Sequence, residues 1–243
     1  MKHPRLAMAT VALIAITGSI AARPAGAQPP AASGKPAAGT PPVLRPGLFW
    51  KEDWKANDKG VELAIGPANI RNPDLEIKVY GPDPALQGKD SVLRLAGKDG
   101  DENNPSHLFS GECKTACAFT FRSKKAMADL TGLARIRVNT KMSGLHRVYP
   151  IIKLANGDMY IGDQPQGGSA MRDWIWSEFN IAGINWIKID PATLLTHGNA
   201  VANVDLTKVE EIGFADPMPS SGHGAGGWFD LGQIEVYAKT VAR

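Results

Sequence analysis

Asp129-Leu130-Thr131-Gly132-Leu133-Ala134-Arg135-Ile136 and Asp205-Leu206-Thr207-Lys208-Val209-Glu210-Glu211-Ile212 are two versions of one phrase. Each opens on Asp-Leu-Thr and carries an apolar residue three positions after the Leu. Each then runs into an alternating segment, Ile136/Val138 in the first and Ile212/Phe214 in the second. An Asp at that place can cap the free N–H groups of one tight helical turn, and residues three apart share a face. The change to period two then starts a strand. A turn feeding a strand, used twice, predicts an all-β fold: an antiparallel β-sandwich built to one plan.

Strand signals continue on both sides of these phrases, and no long amphipathic helix interrupts them. Leu48 to Trp50 opens the series, and Val61 to Ile65, Leu75 to Tyr80 and Val92 to Leu95 alternate apolar and polar residues. Lys98 to Ser106 reads as a polar loop, and Ala118 to Arg122 alternates cleanly. Val148 to Leu154 and Met159 to Ile161 flank Asn156-Gly157, a strong hairpin signal. Pro150 in the first arm predicts an edge strand or a bulge. Trp174 to Phe179, Trp186 to Ile189 and Gln233 to Tyr237 complete the set.

The start of the chain reads as an export signal. Lys2, His3 and Arg5 precede an apolar run from Leu6 to Ala22, and Ala25-Gly26-Ala27 offers small residues for cleavage after Ala27. The run is shorter than the roughly 20 residues a spanning helix needs. The expected location is the periplasm or the medium. Cleavage removes Lys2, Arg5 and Arg23 and no acid, which leaves 24 basic and 24 acidic residues. A balanced surface gives no electrostatic ground for nucleic acid or an anionic membrane as partner. Residues 28–46, rich in Ala, Pro and Gly, read as a disordered linker, and residues 47–243 as one sandwich domain. Cys113 and Cys117 are the only cysteines; in an exported chain a disulfide that staples a turn is the expected pairing.

Aromatic and polar residues point to a ligand. Residues 217–228 gather four glycines around His223 and end on Trp228. That loop reads either as a ligand contact or as a connection with Trp228 plugging the core. Trp174 and Trp176 share parity on one strand, which makes them a core pair or a carbohydrate platform. Indole rings suit the apolar C–H faces of sugars, and the hydroxyls around those faces need hydrogen bonds. Arg147, Asp163 and Asp173 are the candidate hydrogen-bonders. Arg147 follows His146 ahead of the Asn156-Gly157 hairpin and Asp163 lies after it, so a mere surface ion pair is the alternative. Asp173 has the opposite parity to Trp174 and joins it on one face only across a bulge.

Catalytic and zinc signals are weak. His107, His146, His197 and His223 share no His-x-His or His-x-x-x-His spacing, and no Gly-x-Ser-x-Gly or phosphate-binding glycine loop occurs. A lone His223 with a distant carboxylate leaves a glycan lyase or hydrolase as one alternative. A module of the cell envelope that binds another protein is the other.

The two Asp-Leu-Thr turns and the ending Trp228-Phe229-Asp230-Leu231-Gly232-Gln233-Ile234-Glu235-Val236-Tyr237 resemble the galactose-binding-like jelly rolls of carbohydrate-binding modules. The Gly-His-Gly-x-Gly-Gly-Trp loop is similar to one in secreted bacterial proteins. The resemblance implies a non-catalytic carbohydrate-binding role. It also implies a structural calcium between the first strand and the approach to the last, where Glu52, Asp53 and Asp230 stand; solvated acids are the other reading. The Glu-x-Asp-x-x-Glu of jelly-roll glucanases and the Gln-x-His of alginate lyases do not occur. The expectation is an exported carbohydrate-binding protein whose ligand contacts are Trp174, Trp176, His223, Trp228, Arg147, Asp163 and Asp173.

Overall fold

The structure, a computed structural model, describes residues 44–55, 58–86, 92–111, 113–143, 147–167, 171–217 and 228–243. The segment read as an export signal, most of the segment read as a linker, His146 and His223 lie outside the described residues.

Strands dominate, and no α-helix occurs among the described residues. In chain order they are β1 (Leu48–Glu52), β2 (Leu63–Ala64), β3 (Leu75–Tyr80), β4 (Arg94–Ala96), β5 (His107–Phe109) and β6 (Cys117–Ser123). β7 (Met127–Asp129), β8 (Arg135–Ser143), β9 (Arg147–Leu154), β10 (Met159–Gly162), β11 (Gln166–Gly167) and β12 (Met171–Asn180) follow. β13 (Trp186–Ile189), β14 (Thr196–Ala200), β15 (Val209–Asp216), β16 (Trp228–Tyr237) and β17 (Lys239–Val241) complete the chain. One sheet runs β12-β8-β16-β5-β4-β2, with β1 also on β16. The other runs β14-β13-β10-β9-β15-β6-β3, with β11 on β9 and β7 joined to β15 and β17. The paired strands are antiparallel, and the two sheets pack as a β-sandwich.

Alternation along each strand decides what enters the core. On β8, Ile136, Val138, Thr140 and Met142 turn inward while Arg137, Asn139 and Lys141 face outward. On β6, Phe119 and Phe121 are buried in the sandwich. Phe179 of one sheet meets Phe214 of the other with ring centroids 5.8 Å apart, and Trp50 of β1 meets Phe121 of β6 at 5.5 Å. These contacts bind the layers, because each buried ring removes a large apolar surface from water. Cys113 and Cys117 form a disulfide with Cα atoms 6.4 Å apart, just ahead of and at the start of β6.

The repeated phrases lie side by side. The Leu130 N–H donates to the Leu206 carbonyl at 2.9 Å. The first copy then feeds β8 of one sheet and the second feeds β15 of the other. Neither copy forms the expected helical turn. Asp129 accepts the Thr131 N–H at 2.9 Å and Asp205 accepts the Thr207 N–H at 3.0 Å. This side-chain bond two residues along competes with helical backbone pairing. The apolar residues consequently diverge: Val209 is buried in the core and Leu133 is exposed.

Pro150 does not mark an edge or a bulge. It pairs with Phe214 inside the sheet. On the other flank of β9 the ladder is interrupted there: β10 covers residues 151–153 and β11 covers 147–148. A residue without an N–H is tolerated at such a break.

Candidate functional site

The outer face of the seven-stranded sheet brings three of the predicted aromatic residues together. Trp176 lies opposite Asn139 of β8, Trp228 opposite Ser143, and Asp230 opposite Lys141, so the register puts these positions on one face. Trp174 reaches the same face. Its ring packs edge-on to His107 with centroids 5.3 Å apart, and its indole N–H donates to the Asn103 carbonyl at 3.3 Å. Gly232 makes room for it, since a Cβ there would stand 3.2 Å from the Trp174 ring. One extra residue between Leu231 and Ile234 of β16 bulges the strand beneath the indole.

Trp176 is 44% exposed, which is high for an indole. The Arg137 guanidinium sits 4.8 Å from its ring centre. Arg137 is held in turn by Glu235 at 2.9 Å, and Glu235 also accepts from Gln233 at 2.7 Å and from Tyr237 at 2.8 Å. A hydrogen-bonded row of β8 and β16 side chains thus braces the exposed ring.

Beside the indoles lies an open cleft of about 250 Å³, lined among others by Glu62, His107, Lys141, Trp228 and Asp230. Asp230 is only 6% exposed, and its Oδ1 receives no hydrogen bond among the described residues. His107 Nε2 lies 3.4 Å from that oxygen, while His107 Nδ1 lies 2.6 Å from the Pro105 carbonyl. Asn139 Oδ1, beneath the same face, is likewise buried and unbonded. Buried acceptors without donors are costly and uncommon, and they mark places where a ligand can supply the missing hydrogen.

The remaining predicted residues lie apart. Arg147 is exposed at the start of β9 in the other sheet, opposite Gly167. Asp163 does not pair with Arg147; it accepts the Asn185 N–H at 2.9 Å and the Asn185 side-chain amide at 2.7 Å. Asp173 is exposed on β12, where a register break between Met171 and Ile175 ends the simple alternation.

The three residues weighed for calcium serve three neighbourhoods. Glu52 is fully buried and accepts the N–H groups of Trp54 at 2.7 Å, Arg71 at 2.8 Å and Asn72 at 2.9 Å. Burial pushes its carboxyl upward, and those three N–H bonds pull against the shift. They hold a sharp corner after β1, where Trp54 takes a left-handed backbone at φ 58°. Asp53 pairs with Lys51 at 3.1 Å and Arg71 at 2.9 Å, and Asp230 faces the cleft. Among the described residues no group of three His, Cys, Asp or Glu side chains is arranged to hold a metal ion.

The outer face of the ten-stranded sheet carries another buried carboxylate, Glu211, 1% exposed. Lys78 donates to it at 2.5 Å, Tyr80 at 2.6 Å and Thr120 at 2.7 Å, with Lys153 at 3.6 Å. Burial opposes its ionisation, but the bonds from Lys78, Tyr80 and Thr120 prevail and hold its carboxyl below the ordinary 4.5. Burial and the same carboxylate push the Tyr80 hydroxyl upward.

Sequence reasoning missed His107 and Asn139, and it assigned Asp230 to calcium. The signal for Asn139 was the outward phase of Arg137-Val138-Asn139-Thr140-Lys141. His107 had none, because three-residue β5 adjoins the polar loop and is too short to show a period.

No helix among the described residues is long and apolar enough to cross a membrane. No family model matches the chain, and no curated protein matches it. Among solved structures it is similar to PfGH50B, at 11% identity over 56% of this chain and TM-score 0.35; it spans only 21% of that protein. It is also similar to a family 11 carbohydrate-binding module from Clostridium thermocellum in complex with a β-1,3-1,4-mixed-linked tetrasaccharide. That likeness has 11% identity, covers 79% of this chain and 98% of the other, and has TM-score 0.39. A family 32 module from C. perfringens NanJ in complex with galactose is similar at 14% identity over 73% and 99%, with TM-score 0.34. At such distances no argument about site or ligand rests on these likenesses.

Proposed function

We propose that this is an exported, non-catalytic carbohydrate-binding protein acting in the periplasm or outside the cell. One observation carries the reading: three indoles share one face of the seven-stranded sheet with a buried acceptor, Asp230 Oδ1, that has no donor among the described residues. Rings supply flat apolar surface for a sugar, and unpaired acceptors take its hydrogen-bond donors. Trp176 stacks on the ligand, Trp174 and Trp228 flank it, and Asp230 with Asn139 orients it.

The test is affinity electrophoresis of residues 28–243 through gels of different polysaccharides, with the Trp176→Ala variant alongside. Retardation in one gel, lost on the Ala substitution without a change in thermal melting, supports the reading. Uniform migration across a broad panel overturns it. Shortening of the gel polysaccharide would instead make the protein an enzyme.

A further inference from the structure

We infer that the indole face binds a stretch of several linked sugars and not a single sugar, because its rings stand too far apart for one pyranose to touch them all. The inference rests on the carbohydrate-binding reading and narrows it to a ligand class, the oligomer or polymer. The sheet register sets the spacing. Trp176 of β12 lies opposite Asn139 and Trp228 of β16 opposite Ser143, on the two flanks of β8. Four residues along β8 and two strand intervals across it separate their Cα atoms by about 13 Å and about 9.5 Å, a diagonal of roughly 16 Å. The rings do not lean together to close that gap. Trp176 packs on Arg137, whose guanidinium is 4.8 Å from the ring centre and which lies beyond Asn139 from Ser143. Trp228 lines the cleft on the opposite side, with His107 and Phe109 of β5 and Ala96 of β4.

Stacked rings sit with their centres about 4.5–7 Å apart. One pyranose placed between two indoles therefore bridges at most about 14 Å, less than the diagonal. Trp174 supplies the intermediate step. Its ring packs against Gly232, which follows Leu231, the partner of Thr140, on β16 across the sheet from Trp176. The three rings thus mark a bent path over the face, from Trp176 to Trp174 and on to Trp228. Their exposure suits this use: Trp176 is exposed and Trp174 and Trp228 are half-buried, so each keeps surface open to a ligand. β12 is the outermost strand of its sheet, and among the described residues no further strand walls off the path beyond Trp176. A chain that meets a second ring after the first does so intramolecularly, which makes affinity climb steeply once an oligomer spans the path.

The probes are size-fractionated oligomers, from monomer to hexamer, prepared from the polysaccharide that most retards the protein in the gel assay. Each is titrated calorimetrically into the purified protein. The expected result is weak binding of monomer and dimer, then an abrupt gain of about tenfold or more by the hexamer, with a single oligomer bound per chain. Trp176→Ala, at an exposed position, keeps the melting temperature, loses the gain and binds every length weakly. Trp176→Phe, which keeps a ring, retains most of the gain. A monomer that binds as tightly as the hexamer overturns the inference and leaves the carbohydrate reading standing. So does a gain that only grows in proportion to the number of units, since additional binding registers alone produce that. A gain that survives Trp176→Ala also overturns it, because length is then read elsewhere. Retardation by no polysaccharide of the panel removes both.

Discussion

Glu211 and Asp230 are both carboxylates buried on the outer side of a sheet, yet they are served in opposite ways. Glu211 collects hydrogen bonds from Lys78, Tyr80 and Thr120, with Lys153 close by. Asp230 has an Oδ1 with no hydrogen bond among the described residues, and its neighbour is His107 Nε2 at 3.4 Å. A carboxylate whose donors all come from its own chain is part of the architecture. One left unfinished in a cleft among indoles is available for something else. Burial alone does not separate the two; the donor inventory does.

Substitution should split them cleanly. Glu211→Ala has the largest expected effect: it strands Lys78 and Lys153 around an emptied site and lowers stability by about 3 kcal/mol, read by urea denaturation. A loss below about 1 kcal/mol would mean that the network is ornamental. Glu52→Ala comes next, at about 2 kcal/mol, because it leaves buried N–H groups without an acceptor at the Trp54 corner. The cost should appear in the melting temperature and as faster proteolysis between β1 and β3.

Acid sharpens the same contrast. Glu211 is held below its ordinary value of 4.5, so its contribution is fully present above that value. It is lost as pH falls through the lower folded-state value, because protonation breaks the bonds from Lys78 and Tyr80. Melting temperatures should therefore drop on acidification below about pH 4.5, and the drop should be shallower in Glu211→Gln. Identical pH profiles for the two proteins would remove Glu211 from the account. Trp176→Ala should change stability least, by under about 0.5 kcal/mol, since the ring is exposed and packs on the Arg137 guanidinium. Its effect belongs in binding, where retardation in a polysaccharide gel should disappear.

The sequence spoke clearly where period two ran long. β3, β6 and β8 were legible because each sets apolar residues against polar ones, and β9 because it leads into the Asn156-Gly157 hairpin. β5 and β14 were not: the first is three residues long, and the second, Thr196-His197-Gly198-Asn199-Ala200, is exposed throughout and shows no apolar phase. Trp174 and Trp176 were legible as a pair through their parity, while Trp228 was read as the end of the glycine loop. The polar residues between them were not, because Asn139, Asp230 and His107 come from three strands that only the sheet register brings together. Arg147 and Asp163 lie apart for the converse reason. Nearness to a hairpin in sequence did not survive the capture of Asp163 by Asn185.

The pairing of β1 with β16 also bears on the order of events in the life of the chain. Leu48 finds its partner in Tyr237 and Glu52 in Ile234. The first strand to leave the ribosome therefore waits for almost the last. Trp50 and Trp54, both in the core, cannot close the sandwich until the carboxyl-terminal strand has been made. Non-local closure of this kind is slow. It leaves β1 without its sheet neighbour through most of synthesis.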